Sequence, residues 1–299
     1  MPEYRAHLDA SVTFINGGSL SVEGFRLDLP GADADEATIE RLLVQHLGLT
    51  LVGSVQLSNL SIVAEAHRGS RDVPRAAEQE RRVVDLSHVI RAGLVTYPGL
   101  PEPTITPFLT REASKANYAP GTEFAMDVMT LIGNTGTYLD SPWHRYGDGA
   151  DLAGLDLASL VDLRAEVFHV RDSGERGVPA SVFFERDVRG AAVLIDTGWS
   201  RLFGTPEYAV DAPFLAPDAV DYLIGEGAIL VGIDSLNIDD TRDTKERPAH
   251  TRLLAAGIHV VEHLTRLDEL PPSGARFTAA PPAIEEFGTF PVRAFAIVE

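Results

Sequence analysis

From residue 83 onward the sequence alternates short apolar runs with amphipathic stretches, and no other feature restricts the fold as much. Residues 83–86, 129–132, 165–170, 192–195 and 229–233 read as strands. Their continuous apolar character predicts strands covered on both faces. Residues 217–226, opening on Pro217, and residues 250–256 read as helices. Strands interleaved with helices specify an α/β domain.

Residues 1–66 follow a different pattern. Val12 and Phe14 alternate with polar neighbours, Asn16-Gly17-Gly18 signals a turn, and residues 20–27 resume the period of two. Asp35 can cap a helix that carries Ile39, Leu42, Leu43 and His46 on one face and closes at Gly48. Val55, Leu57 and residues 60–63 predict a further strand or two. The expectation is a small α+β module over 1–66 with no catalytic cluster of its own. A polar linker over 67–82, within which 76–82 can form a short helix, leads to a catalytic domain over 83–299.

Composition removes whole classes of function. Asp and Glu outnumber Lys and Arg by 44 to 25, a net charge of −19, which opposes binding to nucleic acid. Cysteine is absent, so disulfides, a thiol nucleophile and thiolate metal ligands are all excluded. The first residues lack the apolar core of a signal peptide, and no apolar stretch reaches membrane-spanning length. A cytoplasmic protein acting on a small molecule is therefore expected. No Walker loop, dinucleotide fingerprint or Gly-x-Ser-x-Gly elbow is present, which argues against nucleotide enzymes and serine hydrolases.

The chemistry concentrates in residues 133–145. There Gly and Pro predict a tight, stiff loop from which Asp140 and His144 emerge four residues apart. A carboxylate and an imidazole on one rigid turn suit a divalent cation. His250, at a helix start, and Glu262, near a strand end, can converge with them at one end of the sheet. His259 and His263 flank Glu262, and strand alternation predicts that both point away from it. Asp239, Asp240, Asp243, Lys245, Glu246 and Arg247 read as a solvated loop.

These stretches together carry a resemblance. From about residue 83 to 298 the chain resembles the cyclase, or kynurenine-formamidase, family of metal-dependent hydrolases. Asp85-Leu86-Ser87-His88 with Tyr97-Pro98-Gly99 resembles its opening segment. Gly136, Thr137, Asp140, Pro142 and His144 fit its signature H-x-G-T-H-x-D-x-P-x-H, while His250 and Glu262 match its later His and Glu. Asn134 and Tyr138 stand where the signature has its first two histidines.

The resemblance implies a swivelling β/β/α domain, often a homo-oligomer (dimer or tetramer). It further implies one divalent ion, Zn or Mn, held by Asp140, His144, His250 and Glu262, with Asn134 as an extra oxygen ligand. The implied reaction is hydrolysis of an amide, lactam or lactone in a small cyclic or aromatic molecule. His144 or Glu262 would serve as base, and Tyr138 would donate to the oxyanion or leaving group. A backbone N–H of the Gly136-Thr137 turn would also hold the oxyanion. Trp143, Trp199, Thr137 and His88 are the expected substrate contacts, and Asp234 is a candidate support for the site. A cyclase or lyase, or a non-catalytic ligand-binding descendant, is the alternative.

Overall fold

The computed structural model describes residues 4–64, 81–171, 173–242 and 245–298. Most of the expected linker, and of the short helix over 76–82, lies outside the described residues; Arg82 opens a strand. The chain divides into two compact units, Met1–Gln79 and Glu80–Glu299.

In the first unit, β1 (Tyr4–Phe14) and β2 (Ser19–Leu29) form an antiparallel hairpin that turns at Asn16-Gly17-Gly18. Gly17 has φ +85°, which a glycine adopts freely. Helix α1 (Glu36–His46) starts where the Asp35 side chain accepts a 2.9 Å hydrogen bond from Thr38 N. A single strand β3 (Val52–Ala64) then pairs with the other edge of β1, giving the order β2-β1-β3. Alternate β1 residues Ala6, Leu8 and Ala10 meet Ile39 and Leu43 of the helix in a small core.

The second unit opens with β4 (Arg82–Asp85), β5 (Thr104–Leu109), the short α2 (Arg111–Ser114), β6 (Met126–Thr130) and β7 (Tyr138–Asp140). It continues with β8 (Leu163–His169), β9 (Gly177–Val178), β10 (Ala192–Asp196), β11 (Phe214–Leu215), α3 (Pro217–Glu226) and β12 (Leu230–Ile233). It closes with α4 (Pro248–Ala255), β13 (His259–Glu262), β14 (Ser273–Thr278), β15 (Thr289–Pro291) and β16 (Phe295–Val298). Nine of these strands form one mixed sheet in the order β15-β7-β13-β12-β10-β8-β14-β16-β4, with β8, β10, β12 and β13 parallel.

The central strands are buried on both faces, and their alternation sorts residues into two cores. Val193 and Ile195 of β10, Val231 and Ile233 of β12 and Val260 of β13 pack against Val220, Leu223, Leu253 and Leu254 of α3 and α4. Ala192, Leu194, Leu230 and Val261 belong to the core of the opposite face. Burying a side chain such as Leu194 or Leu230 contributes roughly 1.5–3 kcal/mol.

Two expectations need correction. The run over 129–132 does not enter the main sheet: β6 pairs only with β5 in a separate two-stranded ribbon. All five of its residues are exposed, and a short apolar run alone carries no information about which neighbours will cover it. The stretch read as a loop around Asp140 contains β7, seated between β13 and β15. Three residues in strand conformation, between a Gly-rich turn and Pro142, are too few to show a period.

Candidate active site

The register of three neighbouring strands builds the floor of the site. Glu262 of β13 lies directly opposite Tyr138 of β7, and Asp140 of β7 lies opposite Thr289 of β15. Cross-strand partners of this kind have Cβ atoms about 4.5–5.5 Å apart, so the side chains meet. Leu139 points into the core, which turns Tyr138 and Asp140 together to the other face. His144 follows on a one-turn 3-10 helix, Pro142–His144, and His250 comes from the first turn of α4. Helix α4 packs on the face to which Val260 points, so His250 arrives over Asp140 and Glu262.

Two main-chain contacts set these positions. Ser141 N donates to Gly288 O at 2.8 Å. A Cβ on Gly288 would lie 2.5 Å from His144 N and 2.7 Å from its Cα, so only glycine permits this approach. A Cβ on Gly133 would collide with the carbonyl oxygen of Thr289.

Donor atoms of Asp140, His144 and His250 converge, all within 4.8 Å of one another. The hydrogen bonds around them fix their tautomers. Asp239 accepts from His250 Nδ1 at 2.7 Å, so Nε2 is the ring nitrogen that faces Asp140 Oδ2 and Glu262 Oε1, each 3.5 Å away. The Thr289 hydroxyl donates to Asp140 Oδ1 and so must accept from His144 Nδ1, at 2.7 Å, which leaves His144 Nε2 as the lone-pair nitrogen. Asp140 Oδ2 is buried without a hydrogen-bond partner. An orphaned carboxylate oxygen beside two imidazole nitrogens, which lose their protons to a bound metal, is a donor set that fits a divalent cation.

The electrostatics agree. Burial acts to raise the Asp140 pKa, but the neighbouring His250 and His144 hold it below its ordinary value. Burial opposes the charged form of His250, yet Glu262, Asp140 and Asp239 together hold its pKa well above 6.5. The same negative potential favours a cation at this point. Glu262 is fully buried, and burial first, then the Asp140 charge, pushes its carboxyl up to about 7, against the pull of His250. Its Oε1 accepts from Ile238 N and its Oε2 from the Tyr138 hydroxyl, each at 2.6 Å. With both oxygens engaged, Glu262 stands beside the three converging donors rather than among them.

These groups open on a cavity of about 670 Å³ lined by Asn134, Tyr138, His144, His250 and Glu262 at its base. Asn134 hydrogen-bonds Tyr138, so it touches the site through the phenol. Among the other expected contacts, none lines this cavity. Thr137 Oγ1 donates to His263 O and accepts from His88 N, tying two segments together. His88 stacks on Phe203 at 3.6 Å. Trp143 is half-buried on its turn, and Trp199 gives its indole N–H to Tyr208 O while packing against the apolar cluster around Tyr208. The Gly136 N–H is spent on Thr96 Oγ1 and the Tyr138 proton on Glu262, so neither serves an oxyanion. Asp234 accepts from Thr197 N and Oγ1, which makes it a turn cap.

Three residues of the site carry no local signal in the sequence or a misleading one. Asp239, expected in solvent, is buried and orients His250. Thr289 is remote in sequence. His263 was expected to diverge from Glu262; instead its φ of +56° breaks the strand alternation and brings its ring to 3.3 Å from the Tyr138 hydroxyl. His259 does point away, to Ser159.

Fold and site together define a mixed α/β protein with an Asp/His cluster fit for a divalent cation at the carboxyl end of its parallel strands. The Cyclase family model matches residues 84–240. A kynurenine formamidase of Geobacillus thermodenitrificans (strain NG80-2) is 30% identical over 213 residues, 71% of this chain and 95% of that protein. Isatin hydrolase A from Ralstonia solanacearum superposes with a TM-score of 0.60 at 25% identity, covering 73% of this chain and 92% of its own. A structure described as a potential metal-dependent hydrolase with cyclase activity gives 0.59 at 25% identity, covering 73% and 98%. The chain belongs to the cyclase family. No helix among the described residues is long and apolar enough to cross a membrane.

Proposed function

We propose that this chain hydrolyses a C–N bond at the carbonyl of a small amide or lactam, with one divalent ion, Zn or Mn, held by Asp140, His144 and His250. The observation that carries the reading is the convergence of those three donor sets beside a buried carboxyl tuned to about 7. The relatives named kynurenine formamidase and isatin hydrolase support it. An ion bound there supplies Lewis-acid activation of water and of the carbonyl oxygen.

The protein's own groups do the rest. Glu262 takes a proton from the attacking water as the C–O bond forms, then returns it to nitrogen as the C–N bond breaks, leaving a carboxylic acid and an amine. A pKa near neutrality suits both directions of transfer. Tyr138 and Ile238 N hold the carboxylate plane still while it acts. Asp239 and Thr289 hold the two imidazoles in the tautomers that present Nε2.

Metal analysis of untagged, unchelated protein tests this reading. The expected result is about one divalent ion per chain, lost in Asp140→Ala and His250→Ala, with hydrolysis of formyl-anilides or isatin-like lactams. Protein that carries no stoichiometric ion and gains no activity from added Zn or Mn would reject it.

A further inference from the structure

The cavity over Glu262 has an unusual charge pattern for so acidic a chain. Among the described residues, four of its thirteen lining residues are basic, Arg145, Lys245, Arg247 and Arg252, against one acidic rim residue, Glu246. The whole chain carries a net −19. Two of the four are already engaged. Arg252 pairs with Asp221 at 2.9 and 3.0 Å, and Arg247 donates to Glu246 O at 2.8 Å.

Arg145 and Lys245 are different. Both are exposed, and neither forms an ion pair among the described residues. The Arg145 guanidinium lies over the Tyr146 ring, 5.2 Å from its centre, which steadies the side chain without neutralising it. Arg145 directly follows His144, and Lys245 lies on the loop leading to α4 and His250. Both basic groups line the same cavity as the two imidazoles. The cavity wall, by contrast, offers little ring surface: among the described residues Tyr138 is its only aromatic residue apart from the two histidines. A substrate here is recognised by charge more than by stacking.

We infer that the substrate carries a carboxylate in addition to its scissile amide, and that Arg145 and Lys245 are the specificity-determining pair that receives it. The inference rests on the hydrolase reading above. Guanidinium and ammonium groups at a cavity mouth bind a carboxylate through charge-assisted hydrogen bonds and raise its local concentration. The amide carbonyl then reaches Glu262 and the Asp140–His144–His250 cluster at the base.

N-formylanthranilate and formanilide share the ring and the formamide and differ by one carboxylate, so they separate the two terms. With metal-loaded protein, kcat/KM for N-formylanthranilate should exceed that for formanilide by ten-fold or more, with an advantage that shrinks as ionic strength rises. In the double variant Arg145→Gln/Lys245→Gln that ratio should collapse toward one, through KM. Equal kcat/KM for the two substrates, or a ratio untouched by the double substitution, overturns the inference and leaves the hydrolase reading standing. If neither compound is hydrolysed, calorimetry with anthranilate decides the recognition claim separately, and the metal analysis above decides the hydrolase reading. Binding that weakens ten-fold in the double variant supports it; binding that is absent, or equal in both proteins, overturns it. Both side chains are exposed, so an unchanged thermal midpoint verifies that the variant is folded.

Discussion

Tyr138 has one phenolic proton, and the site spends it on Glu262. A hydrogen bond to a carboxylate favours its charged form, so this contact lowers a Glu262 pKa that burial has raised. Tyr138→Phe should therefore move the acidic limb of kcat/KM to higher pH and reduce kcat about ten-fold by leaving the base less firmly held. A variant with the wild-type profile would remove Tyr138 from the mechanism. Asp140 and His144 were legible in the sequence because a rigid, Gly- and Pro-flanked segment places them within four residues of each other. Thr289 was not: it meets Asp140 across 149 residues of sequence, through a strand register that no local pattern records.

Helix α4 illustrates how an element and a ligand can share one support. Its flanking Arg247 provides no side-chain cap, and Asp239 accepts instead from Ala249 N at 2.7 Å, His250 N at 3.1 Å and His250 Nδ1 at 2.7 Å. Asp239→Ala should cost about 2 kcal/mol in urea unfolding, through unsatisfied helix N–H groups. It should also weaken metal binding roughly 10–100-fold in competition with a chelator. Wild-type metal affinity in this variant would show that Asp239 serves the helix alone. Helix α3 was readable because Pro217 and the left-handed Gly227 bracket an amphipathic run. Asp239 was misread because a charged cluster has the composition of a solvated loop wherever it ends up.

Across the whole second unit, buried titratable groups make folding depend on pH. Burial holds His88 and His259 neutral with pKa values of about 4, and burial with the His88 charge takes His263 to about 3. Each ordinarily titrates at 6.5, so the unfolded chain takes up these three protons first as pH falls. Asp234 and Glu262 act oppositely: burial raises them from 3.8 to about 6 and from 4.5 to about 7, so the folded chain binds those two protons first. Between pH 6 and about pH 4.5 the unfolded state thus holds a net one proton more, three minus two. Stability should fall with pH there by on the order of 1.4 kcal/mol per unit. Urea midpoints at pH 7.5, 6 and 5, with and without chelator, check this; a flat series would contradict it. The nine-stranded sheet could be anticipated in class from its apolar runs, but its antiparallel edges could not, since pairing order is set by packing between distant segments.

The close approach of Gly288 to the backbone of His144 makes main-chain spacing the gauge of the coordination sphere. A methyl group there would act as a shim, displacing the His144 backbone and prising Thr289 from Asp140 and His144 although no donor residue is changed. Mutational tolerance should follow the same geometry: the rim of the cavity is free to diverge toward new substrates, while Gly288 and Gly133, which carry no donor atom of the cluster, cannot drift.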